Sequence, residues 1–175
     1  TAAAALVGVA STGANTLAFG AYTTFSGTFP AADTTINGAY TVTLTGTLTA
    51  AATYTLASGL TLVSTAAILN GAKTAGAGAT SITAAHSTAA AALVDIASTG
   101  ANTMTFGGNT TFTGSFPSKT VTLSGAYTVT LTGSLTADAS VTYTLADVFT
   151  LRATAAVLND AKTSGSGTTE ITAAH

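Results

Sequence analysis

Along residues 40–46, YTVTLTG, the apolar Val42 and Leu44 alternate with Thr41, Thr43 and Thr45. The same letters return at 127–133, where Val129 and Leu131 sit among Thr128, Thr130 and Thr132. A period of two marks a half-buried β-strand, because successive side chains leave a strand on opposite faces. Threonine is β-branched and fits a strand well. The pattern predicts Val and Leu pointing inward. It sets the six threonines outward as a surface or assembly ladder.

A similar local setting recurs along the chain. Phe25, Leu44, Leu62 and Ile82 each follow a glycine by a few residues and precede a small residue by two, at spacings of 19, 18 and 20. Phe112, Leu131, Leu151 and Ile171 repeat the arrangement at 19, 20 and 20. A unit of about 20 residues suits one coil of a β-solenoid, in which equivalent side chains stack along the axis as core rungs. The expected fold is therefore all-β, a β-solenoid (β-helix), with these eight residues as its rungs. Glycine and asparagine provide the corners, with Asn37 and Gly38, Asn70 and Gly71, and 107–109 as candidates. Asn15 and Asn102 recur as further turn positions.

The chain is also an internal duplication. Residues 1–86 align with 88–175, identical at about two-thirds of positions, with a two-residue insertion near Ser140 and Val141. This gives two repeat units, 1–87 and 88–175, of about four coils each in one continuous solenoid. The gap of 30 residues from Ile82 to Phe112 leaves room around 87–100 for a longer loop or a short helix. The alternative is two tandem immunoglobulin-like β-sandwiches. That fold needs about seven strands per unit and gives no reason for a shorter period.

Composition narrows the function. Charged residues make up 6% of 175 residues, against about 25% in ordinary soluble domains. The net charge is −2 with no basic run, which argues against nucleic-acid binding. Thr, Ser and Gly interrupt every apolar run before it reaches the length of a membrane-spanning helix, so membrane insertion is not expected. Cysteine is absent, which removes disulfides and thiolate metal sites. The chain opens at Thr1 without a signal peptide and reads as a processed or excised segment.

Reactive groups are sparse. His86 and His175 close the two repeats in the same ITAAH context. Four coils would hold them about 19 Å apart, too far to share an ion, so they read as turn residues. The acids are single, without the paired carboxylates of glycoside chemistry, and no GxSxG elbow occurs. No catalytic, cofactor-binding or metal-binding residue is expected, and the chain does not read as an enzyme.

The repeats, the low charge and the phase of the ends lead to one main expectation. The closing TAAH stops one residue short of the STAAAA that follows the first repeat, so the last coil is in phase with the first. Neither end looks like a capping repeat, and exposed strand edges favour head-to-tail stacking. In composition the whole chain resembles the Thr/Ala/Gly-rich repeat regions of bacterial cell-surface adhesins and β-solenoid fibres. That resemblance implies a structural, self-assembling, extracellular or cell-surface protein, a filament, fibre, sheath or adhesin stalk, whose partner is itself and whose surface can carry glycans. Two alternatives stand beside it. Thr-x-Thr arrays resemble those of ice-binding proteins, although YTTFSG, LTLVST and ATSITA break the regularity within the first repeat. Tyr22, Tyr40, Tyr54, Tyr127 and Tyr143 could stack on sugars in a carbohydrate-binding or phage-fibre module, with Tyr40 and Tyr127 also placed to brace corners beside Gly38 and Gly125.

Overall fold

The computed structural model describes residues 13–29, 32–46, 52–69, 72–83, 95–112, 119–132, 141–158 and 161–172. Among them are seventeen short strands and no helix. The first repeat supplies β1 (Asn15–Ala18), β2 (Thr23–Phe25), β3 (Thr34–Asn37), β4 (Thr41–Leu44), β5 (Thr53–Leu56), β6 (Thr61–Ser64), β7 (Lys73–Gly76) and β8 (Ala79–Ile82). A two-residue strand, β9 (Asp95–Ile96), follows. The second repeat continues with β10 (Asn102–Thr105), β11 (Thr110–Phe112), β12 (Val121–Ser124), β13 (Thr128–Leu131), β14 (Thr142–Leu145), β15 (Thr150–Ala153), β16 (Lys162–Gly165) and β17 (Thr168–Ile171).

Every pairing is parallel, between a strand and the next but one in sequence. The chain is thus a two-faced β-solenoid, not a pair of antiparallel sandwiches. One face is a continuous eight-stranded sheet of the even-numbered strands, β2 to β16. The other face is split into a five-stranded sheet, β1-β3-β5-β7-β9, and a four-stranded sheet, β11-β13-β15-β17. Rungs advance by 18 to 22 residues, from Thr61 opposite Ala79 to Val121 opposite Tyr143.

β9 has a large effect for its size. Among the described residues, 1–87 contribute eight strands and 88–175 contribute nine, β9 being the odd one, so without β9 equivalent strands would fall on equivalent faces. One added strand is half a coil, and it moves the second repeat half a turn around the axis. β10, the copy of β1, therefore joins the sheet built by β2, β4, β6 and β8. The long gap between repeats thus contains a strand at 95–96; residues 84–94 lie outside the described residues.

The core is a single column between the faces. Phe25, Leu44, Leu62, Ile82, Leu131 and Leu151 are all buried. Ile171, on the terminal rung, is 48% exposed, and the side chain of Phe112 lies outside the described residues. The eight do not form one stack per repeat. Phe25 is opposite Leu44, but Leu62 is opposite Val42, and Ser64 is opposite Ile82. In the second repeat Leu151 is opposite Val129, and Ala153 lies between Leu131 and Ile171. The expected stacking is therefore off by two residues at Leu62 and Leu151. The small Ser64 is accommodated inside because its Oγ donates to the Leu44 carbonyl at 2.7 Å. Aromatic edges fill the wider parts: Phe25 meets Phe29 at 5.0 Å between centroids, and Phe29 meets Tyr54 at 5.4 Å.

Two turn expectations divide. Gly38 turns the chain after β3 with φ 130°. Asn15 and Asn102 open strands β1 and β10 and are not corners. Asn70, Gly71, His86 and His175 lie outside the described residues.

Candidate functional site

The continuous sheet carries the most regular outward surface. Strand alternation buries Val42 and Leu44 and leaves Thr41 and Thr43 half-buried, with Thr45 exposed beyond the strand end. Thr128 and Thr130 are likewise half-buried and Thr132 is exposed, but these three belong to the split face. The two copies of YTVTLTG therefore look outward in opposite directions. This follows from the half-coil added by β9.

The same half-coil builds a surface from both repeats. One outward column on the continuous sheet reads Thr24, Thr43, Val63, Ser81, Thr103, Thr122, Thr144 and Ser164, each opposite the next. Val63 alone interrupts the hydroxyls. The irregular stretches of the first repeat are extended here by strands from the second, NTMT, VTLS and TYTL. Neighbouring rungs lie about 4.8 Å apart, and alternate residues on a strand about 6.6 Å apart. Several hydroxyls pair along the column: Thr103 Oγ1 donates to Ser81 Oγ at 2.8 Å, and Thr144 and Ser164 share a bond of 3.2 Å. Beside the column, Thr105 and Ser124 share one of 3.0 Å. Thr45 and Thr83 instead turn back to the carbonyls of Phe25 and Ser64.

Two shallow depressions occupy equivalent places in the repeats. One, of about 180 Å³, is lined by Tyr22, Thr23, Thr24, Thr41 and Thr43. The other, of about 270 Å³, is lined by Asn109, Thr110, Thr111, Thr128, Thr130 and Arg152. Asn109 replaces Tyr22, and Arg152 stands where the first repeat has Val63. Arg152 is bound across the rung to Glu170 at 2.8 Å, with both side chains about half exposed. Such a pair is worth about 0–1 kcal/mol, so it orients Arg152 more than it stabilises the fold.

The tyrosines separate by burial. Tyr22 is 67% exposed and meets Tyr40 edge-on at 5.7 Å. Tyr54 and Tyr143 are fully buried and cannot stack on a sugar. Burial pushes the Tyr54 phenol up to about 12, with the charge of Asp33 adding to it, and burial does the same for Tyr143. No group of three or more His, Asp or Glu that could hold a metal occurs among the described residues.

A second polar cluster lies inside, where the repeats meet. Thr80 Oγ1 donates to Thr74 Oγ1 at 2.9 Å and lies 2.9 Å from Ser98 Oγ. Asn102 Oδ1 accepts from the Thr80 amide and from Ser98 Oγ, both at 2.9 Å, while its Nδ2 donates to the Ser98 carbonyl at 2.8 Å. All four residues are buried. Sequence reasoning missed this cluster. The one signal in the sequence was the spacing of Thr80, two residues before the inward Ile82 and so on the same face of its strand.

No protein-family model matches the chain, and no curated protein or solved structure matches it.

Proposed function

We propose that the chain is a structural module of an extracellular or cell-surface fibre, sheath or stalk, built by stacking β-coils end to end. The observation that carries this reading is the continuous eight-stranded sheet. Hydrogen-bonded parallel strands run through both repeats without a break on that face, so the duplicated halves form one stiff unit with no flexible joint at the β8–β10 step. Outward hydroxyls hydrate such a rod, or bond a neighbouring one, with few charges. Negative-stain microscopy of the purified chain at rising concentration is the test. Fibres a few nanometres wide are expected; isolated short rods at every concentration would refute assembly.

A second reading has a specific observation behind it. The column from Thr24 to Ser164 extends the outward hydroxyls from the first repeat into the second, broken only at Val63, and an uncharged array of this kind suits the surface of ice. Thermal hysteresis measured on folded protein decides it. A freezing-point gap that shrinks when Thr103 and Thr122 are both replaced by larger polar residues supports ice binding, and no gap at millimolar protein ends it.

A further inference from the structure

The two described ends of the solenoid carry the two halves of the junction that already joins the repeats inside the chain. Inside, the first repeat closes on β7 and β8, and the second repeat covers them with β9 and β10. The register sets Thr74 opposite Ile96 and Ile82 opposite Met104. Ala97, Thr99 and Gly100 donate their amides to the carbonyls of Thr74, Gly76 and Gly78 at 2.8 to 3.0 Å. Thr74, Gly78, Thr80 and Ile82 are all buried there.

At the far end, β16 and β17 are the copies of β7 and β8 and keep their local geometry. Thr169 Oγ1 donates to Thr163 Oγ1 at 3.0 Å, as Thr80 does to Thr74 at 2.9 Å. Gly167 and Thr168 bond back to Leu145 and Phe149 as Gly78 and Ala79 bond back to Leu56 and Leu60. Yet Thr163 and Ile171 are exposed, where Thr74 and Ile82 are sealed.

The near end offers the matching half. Asn15 is the copy of Asn102, and its Nδ2 donates to the Asp33 carbonyl at 3.4 Å, as Asn102 donates to that of Thr120 at 3.5 Å. Leu17 and Phe19 stand where Met104 and Phe106 stand, but are only half-buried. Gly13 is the most telling residue. A Cβ on its copy, Gly100, would strike the backbone of Gly78, whereas a Cβ on Gly13 would meet nothing.

We propose that the β16–β17 end docks onto the Gly13–β1 end of a second copy of this chain, reproducing the β8–β10 contact of the internal junction. Ile171 then lies opposite Leu17 and Glu170 opposite Thr16, as Ile82 and Ser81 lie opposite Met104 and Thr103. Asn15 accepts the Thr169 amide, and Gly13 lies against Gly167. This rests on the assembly reading above and specifies its contact and register.

The chain has no cysteine, so the double variant Thr16→Cys, Glu170→Cys tests the register directly. Neighbouring strands place paired Cα atoms about 4.8 Å apart, within the roughly 4.4–6.8 Å that a disulfide spans. Under mild oxidation a ladder of dimers, trimers and longer multiples is expected on a non-reducing gel, collapsing on reduction. The shifted pair Ala18→Cys, Glu170→Cys should cross-link at least tenfold less. Gly13→Ala in the Thr16→Cys, Glu170→Cys background should abolish the ladder while leaving the circular-dichroism melt unchanged, since a Cβ at that position meets nothing in the single chain. No ladder, or equal ladders from both pairs, overturns the inference. Fibres seen by microscopy without a Thr16–Glu170 ladder would overturn this contact and leave the assembly reading standing. Absence of both would end the two together.

Discussion

At the scale of single residues, the duplication supplies its own controls. Gly59 turns the chain between β5 and β6 with φ 83°, and its copy, Val148, makes the same turn with φ 59°. Glycine takes that conformation freely, whereas a β-branched side chain is strained by about 1–2 kcal/mol. Val148 is also 69% exposed, so its side chain gains little from packing in return. Val148→Gly should therefore stabilise the fold by about 1 kcal/mol, read as a higher denaturant midpoint with an unchanged slope. The buried tyrosines give a second prediction. In the unfolded chain the phenols of Tyr54 and Tyr143 ionise near 10, and in the fold near 12. Between those values the unfolded chain has released protons that the folded chain still holds. Stability that is complete below pH 10 should thus fall as the pH rises towards 12, by about 2–3 kcal/mol per tyrosine. Denaturant midpoints from pH 8 to 12 measure it, and the double Tyr→Phe variant should flatten the decline.

At the scale of strands and coils, the sequence carried more about faces than about register. Alternation with period two tells which side chains of YTVTLTG point inward, and Val42, Leu44, Val129 and Leu131 are buried. It cannot tell which residue of the next rung lies opposite, because a slip of two residues leaves every side chain on the same face. Leu62 was therefore legible as an inward residue and not as the neighbour of Val42. Ser64 and Ala153, the small residues two places after Leu62 and Leu151, are the ones that occupy the same column as Leu44 and Leu131. β9 was beyond reach for a different reason. Two residues, Asp95 and Ile96, contain no period at all, yet they decide the face on which the whole second repeat sits. The hydroxyl column from Thr24 to Ser164 followed the same fate, since it exists only once the two repeats are set half a turn apart. The junction cluster was hidden because threonine reads as an outward residue in this composition, while Thr74, Thr80 and Asn102 satisfy one another inside.

At the scale of the whole molecule, stability is spread along a line. Each rung bonds only to the rungs before and after it, so the chain behaves as a stack of near-neighbour contacts. The internal junction is the one place where two copies of the same ends are seen joined, and it sits beside the break between β9 and β11. That break on one face is backed on the other by the unbroken run β8, β10, β12. If copies dock in the register proposed above, β1 of the next copy follows β17 on its own face, and the joint would fall on the opposite face from the break within the chain. The seams of such a stack would be staggered like courses of brickwork. A pull along its axis would then be carried past each seam by a continuous course on the other side.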